Sequence, residues 1–158
     1  MVGFLVFGVL MAGAAAFETV GDRLSGFIPA SLKPSQAAES TVYERSFSYC
    51  SKISRTCVVD GDTIWLDGTK IRIADIDTPE LSPPRCAYER ELGERAKARL
   101  RDLLNVGPFT LRKADRDEDR YGRKLRTVHR ADGRSIGLIL VDEGLAREWD
   151  GARHPWCS

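Results

Sequence analysis

The chain has 158 residues, 42% hydrophobic and 30% charged, enough for one modest core and too apolar for wholesale disorder. Its 24 Lys and Arg nearly balance its 23 Asp and Glu, leaving a net charge of +1. That balance excludes a broadly basic surface, so any polyanion site must rest on a local cluster of cations.

Residues 1–17, MVGFLVFGVLMAGAAAF, are almost wholly apolar. The run is slightly short for a membrane span, which needs about 20 residues. It reads as a signal-peptide core followed by small residues, although no Lys or Arg precedes it. An uncleaved membrane anchor is the alternative. Residues 18–45 mix Ser, Pro, Ala, Gly and charges without a sustained period and read as a linker. The domain is expected over residues 46–158.

Residues 46–49 alternate as an edge strand, and residues 55–59 begin the sheet proper. Asp60-Gly61 and Asp67-Gly68 are turn signals between β-forming stretches. They predict a meander of three strands ending in Lys70-Ile71-Arg72-Ile73, with Asp62 brought near Asp77. In one straight strand Arg72 and Asp77 would face opposite sides, so a bulge or a strand end must re-aim one of them. Thr78-Pro79 favours a strand end.

A helix is predicted over residues 88–104, with Leu92, Ala96, Leu100, Leu103 and Leu104 in one apolar stripe. Its arginines alternate with glutamates and read as a solvated face. Residues 109–113 form a strand, residues 114–123 a charged exposed loop, and residues 124–130 the next strand. Ser135 caps a second helix that ends before Gly144, and residues 145–149 add a short strand. Together these make an α+β domain. His129 and His154 have no metal-ligand neighbours at recognisable spacing, so neither a zinc site nor a histidine base is indicated.

The chemistry gathers in residues 60–80. Asp62 and Asp77 are hard carboxylates suited to Ca²⁺ or Mg²⁺. Arg72 is a planar, permanently charged donor that fits a phosphate, and Glu80 lies just beyond a proline turn.

The succession Val59-Asp60-Gly61-Asp62-Thr63, Ile71-Arg72-Ile73-Ala74-Asp75-Ile76-Asp77-Thr78-Pro79-Glu80 and Asp119-Arg120-Tyr121-Gly122-Arg123 resembles the staphylococcal nuclease-like (thermonuclease) family. The resemblance runs over residues 56–148. It implies a five-stranded OB-fold β-barrel with packed helices, acting on DNA or RNA with Ca²⁺. It further implies cleavage of the P–O5′ bond, leaving 3′-phosphates. Transferred by motif, Asp62, Asp77 and the Thr78 carbonyl become metal ligands, and Arg72, Glu80 and Arg123 the catalytic trio. The chain departs from the family after Gly144-Leu145-Ala146. The staphylococcal enzyme has tyrosines there that pack near the bound nucleotide, whereas this chain has Trp149 in a different register. The competing reading is a non-catalytic OB-type module that binds single strands or a protein partner. Nothing in the sequence indicates an oligomer, so a monomer is expected.

Four cysteines behind an apparent export signal read as disulfides in an oxidising periplasmic or extracellular compartment. Three pairings are possible, and the layout favours Cys50–Cys57 and Cys86–Cys157. The first would close a short loop before the sheet, and the second would fasten the tail to the start of the main helix. Four reduced thiols in a cytosolic protein are the alternative.

Overall fold

The computed structural model describes residues 41–158. The signal-or-anchor stretch and the linker up to residue 40 lie outside the described residues.

Short strands β1 (Val42–Tyr43), β2 (Ser48–Tyr49) and β3 (Cys57–Val58) precede the meander. The meander is β4 (Thr63–Leu66) and β5 (Thr69–Ile73), joined through Asp67-Gly68 with φ of 50° and 87°. Positive φ at both central residues is what a two-residue primed turn requires, and the Asp-Gly pair tolerates it. The chain then breaks at Ala74-Asp75 and resumes as β6 (Ile76–Asp77). The strand end expected between Arg72 and Asp77 is therefore present, and it falls directly after Ile73. Helix α1 (Ala87–Leu104) follows, then β7 (Phe109–Glu118), β8 (Lys124–Arg130), α2 (Ile136–Asp142) and β9 (Arg147–Glu148).

One sheet of seven strands runs β1-β7-β8-β5-β4-β3-β2, and β6 pairs with β9 separately. Its inner five strands, β3-β4-β5-β8-β7, form the curled half-barrel of an OB-type α+β fold, with β5 and β8 parallel and α1 inserted between β6 and β7. The five strands expected are there, and two-residue edge strands β1 and β2 widen the sheet. β1 lies inside the stretch expected to be linker and pairs with Thr110 and Phe109.

β7 is longer than its sequence pattern. Residues 114–118, expected as part of a loop, continue the strand past a register shift between Lys113 and Glu118. Both faces of this ribbon are charged, so no apolar alternation announces it. Cross-strand charge holds it instead, with Asp117 between Lys124 (2.8 Å) and Arg126 (2.8 Å).

The core lies between the sheet and the helices. Ile64, Ile71, Ile73 and Ile76 meet Leu92, Ala96, Leu100 and Leu104 of α1 and Ile136 and Leu140 of α2. Each fully buried aliphatic side chain contributes about 1.5–3 kcal/mol. Cys86 caps α1 by accepting from the Glu89 amide, and Ser135 caps α2 by accepting from Leu138. Gly144, with φ of 69°, takes the left-handed position just past α2. Cys50–Cys57 and Cys86–Cys157 are both formed, the second tying the tail to the N-terminus of α1. No helix among the described residues is long and apolar enough to cross a membrane.

Candidate active site

Two loops at one end of the half-barrel and the β5–β6 break converge on Arg72. The first loop links β3 to β4. Asp60 Oδ1 accepts the Asp62 amide at 3.2 Å, which turns the chain, and the Asp62 carbonyl accepts from the Ile73 amide at 2.8 Å. Gly61 is the point of close approach. A Cβ there would lie 2.8 Å from Ala96 Cβ and 3.0 Å from Thr78 Cβ. Only a residue without a side chain lets this loop lie against both α1 and Thr78, which sets Asp62 beside Asp77.

Arg72 stands opposite Thr63 on one neighbouring strand and Leu125 on the other. Its Nη1 donates to Asp62 Oδ2. Its Nη2 donates to the Ile76 carbonyl at 3.3 Å and lies 3.5 Å from Asp77 Oδ1. All three side chains are buried, Arg72 at 7%, Asp62 at 4% and Asp77 at 5% exposure. One buried guanidinium thus faces two buried carboxylates, an arrangement with net negative charge that water screens poorly. Burial, and then the Asp62 charge, push the Asp77 carboxyl above its ordinary range. The same two causes push Asp60 up to about 6.

Asp77 Oδ1 is buried without a hydrogen-bond donor, while Oδ2 accepts from Trp156 Nε1 at 3.3 Å. Thr78 follows directly and is also buried. Among the described residues no group of three or more His, Cys, Asp and Glu side chains is close enough to hold a metal alone. The ligands expected from the sequence, the Asp62 and Asp77 carboxylates and the Thr78 carbonyl, are all hard oxygens. That set fits a hard divalent ion completed by water, and an oxygen lacking a donor is what such an ion would satisfy.

Glu80 is partly exposed and pairs with Arg153 Nη1. Arg153 Nε also lies 3.8 Å from Asp77 Oδ1. Arg123 comes from the β7–β8 turn. Its Nε donates to Asp119 Oδ2 at 2.7 Å, and its Nη1 reaches Thr63 Oγ1 at 3.5 Å. Thr63 Oγ1 in turn donates to Asp62 Oδ1 at 2.8 Å, so Arg123 joins the same network.

A cavity of about 480 Å³ opens over Arg72, with Asp62 and Asp77 behind that guanidinium and outside the cavity lining. Five arginines line it (Arg72, Arg116, Arg120, Arg123, Arg153), together with the carboxylate Asp119. The near-neutral chain therefore places five of its 24 Lys and Arg side chains around this cleft. Tyr121 and Trp149 add aromatic walls, and the Arg72 guanidinium carbon lies over the Trp149 ring, 5.5 Å from its centroid. Trp149 is held by its amide, which donates to the Asp75 carbonyl at 2.9 Å, while Ser135 Oγ donates to Asp75 Oδ2 at 2.6 Å.

Asp62, Arg72, Asp77, Thr78, Glu80 and Arg123 thus come to one end of the barrel. Sequence reasoning missed Arg153 and Trp156. The only hint was a Trp beside a Cys in a tail with little else to hold it. It also missed Arg116, which lies on the extended part of β7.

A family model described as "Staphylococcal nuclease homologue" matches residues 70–155. Endonuclease YncB of Bacillus subtilis (strain 168) is 41% identical over 95 residues, covering 56% of this chain and 44% of that protein. Endonuclease YhcR of the same organism is 37% identical over 99 residues, covering 56% and 8%. Succinoglycan biosynthesis protein ExoI of Rhizobium meliloti (strain 1021) is 33% identical over 103 residues, covering 62% and 52%. The matches span about half or less of each relative's own length.

Proposed function

Since this chain belongs to the family of staphylococcal nuclease homologues, we propose that it is a calcium-dependent nuclease that hydrolyses DNA or RNA. The observation that carries the reading is Arg72 held between Asp62 and Asp77 at the floor of an arginine-lined cavity. The names of the Bacillus relatives support it.

Asp62, Asp77 and the Thr78 carbonyl would hold the calcium ion. When bound, it neutralises charge on the phosphodiester and stabilises the charge that develops on it. Arg72 and Arg123 approach the cavity from β5 and from the β7–β8 turn. They clamp the phosphoryl oxygens and stabilise the added charge of the five-coordinate transition state. Glu80 orients and deprotonates the attacking water. The water oxygen bonds to phosphorus as its proton passes to Glu80. The P–O5′ bond breaks with its electron pair on O5′, which takes a proton from solvent and leaves as a 5′-hydroxyl, and a 3′-phosphate remains. Loss of one such preorganised donor costs about 3–4 kcal/mol of barrier, or roughly 10²–10³ in rate. Trp149 and Tyr121 offer flat faces for bases, a contact that tolerates any sequence.

The two disulfides support an exported protein acting in an oxidising compartment, and we take it to act as a monomer.

Plasmid digestion tests the proposal. Calcium should support cleavage to products with 3′-phosphates, and chelator should stop it. Full cleavage in chelator contradicts the calcium role. Binding of single strands without cleavage in any divalent ion would favour the non-catalytic OB-type module.

A further inference from the structure

Asp77 has two unlike oxygens. Oδ2 accepts from a neutral donor, the Trp156 indole, at 3.3 Å. Oδ1 has no hydrogen-bond donor, and Arg72 lies 3.5 Å and Arg153 3.8 Å from it. The indole N–H fixes the carboxylate through Oδ2 and leaves Oδ1 without a hydrogen bond, open to a further ligand.

The indole is itself firmly held. Trp156 is 9% exposed and packs into the core. The Arg147 guanidinium lies 3.8 Å from its ring centroid and donates to the Pro155 carbonyl at 3.1 Å. Arg147 is also the strand partner of Asp77 between β6 and β9. The next residue, Cys157, is bonded to Cys86 at the start of α1. Asp77, Arg147 and Trp156 therefore close a ring, and the disulfide bolts that ring to the helix.

We propose that Trp156 is a positioning residue that aims Asp77 Oδ1 at the calcium ion, and that the Cys86–Cys157 bridge completes the site by holding Trp156 in place. The inference rests on the reading of Asp77 as a calcium ligand.

Groups that orient a ligand from behind typically change metal affinity by about 10–100-fold when removed. Trp156→Phe keeps a ring and deletes the N–H. Calorimetric titration with calcium should show about tenfold weaker binding, at the low end of that range. The calcium dependence of cleavage should shift by a similar factor, with KM for nucleic acid at saturating calcium little changed. The Cys86→Ser/Cys157→Ser protein should show part of the same loss. Should phenylalanine lower the melting temperature, benzothienylalanine at position 156 carries the test, because it keeps the shape of tryptophan and lacks the donor. Wild-type calcium affinity in a folded variant without the donor overturns the proposal. A wild-type protein that binds no calcium overturns the proposed function first, and this inference with it.

Discussion

The floor and the rim of the cleft are held by different forces. Asp62, Arg72 and Asp77 are buried and sit on or next to paired strands, and both carboxylates pair with Arg72. Tyr121 and Trp149 are exposed, and Arg153 is nearly half-exposed at 45% of its side chain. Burial and strand register fix the floor, whereas turn chemistry and charge place the rim. A change in the floor should therefore alter stability and chemistry together. A change in the rim should disturb function with the fold intact. Arg123 stands between the two, partly buried and anchored by Asp119.

Replacing Arg72 should produce the largest effect. Arg72→Ala leaves Asp62 and Asp77 buried and facing each other, which costs about 3–5 kcal/mol of stability on the general behaviour of broken buried pairs. Urea unfolding in chelator measures this, and calcium should recover part of it. Turnover should fall by roughly 10²–10³. Arg72→Lys should be nearly as harmful to turnover, because an ammonium cannot reproduce the two-pronged contact. Wild-type stability in Arg72→Ala would erase the distinction between floor and rim.

Arg123→Ala comes next and sharpens the contrast. Its turnover should fall by a comparable factor of roughly 10². Its stability should change by no more than about 1 kcal/mol, because its ion pair with Asp119 is partly solvated. Unaltered turnover would make the β7–β8 turn purely structural.

Gly61→Ala tests the floor through packing alone. The new methyl meets Ala96 and Thr78 at 2.8 and 3.0 Å, so overpacking should cost about 1–3 kcal/mol in thermal or urea unfolding. Calcium affinity should weaken as Asp62 is pushed away from Asp77. Unchanged stability and affinity would show that the loop does not need this close approach.

The smallest effect concerns the ribbon that carries Arg123. Hydrogen bonds from Lys124 and then Arg126 lower the Asp117 carboxyl to about 2, against 3.8 in the unfolded chain. Its contribution to stability is complete above the unfolded value and is lost as pH falls through about 2. In Asp117→Asn the melting temperature should lose a small part of its acid dependence between those limits. Identical profiles would mean that the ion pairs contribute nothing.

These same differences decide what could be read in the chain. The floor was legible because its determinants are local. Asp60-Gly61 and Asp67-Gly68 mark turns, and the parity conflict between Arg72 and Asp77 calls for a bulge or a strand end between them, which the structure supplies as the break after Ile73. The α1 stripe was legible from its period, and the two bridges from their layout. The far half of β7 was hidden because ion pairs across the ribbon hold it. Trp156 and Arg153 were hidden because their partners are remote. Trp156 lies 79 residues from Asp77, and no local pattern encodes that approach.

On the proposed function, Asp77 governs catalysis through calcium. The most direct measurement is the initial rate of plasmid cleavage by wild-type and Asp77→Ala proteins across a calcium titration, with folding checked by circular dichroism. Asp77→Ala should be folded and show no measurable turnover at calcium concentrations that saturate the wild type. A folded Asp77→Ala protein that cleaves at the wild-type rate, with the wild-type calcium dependence, would contradict it.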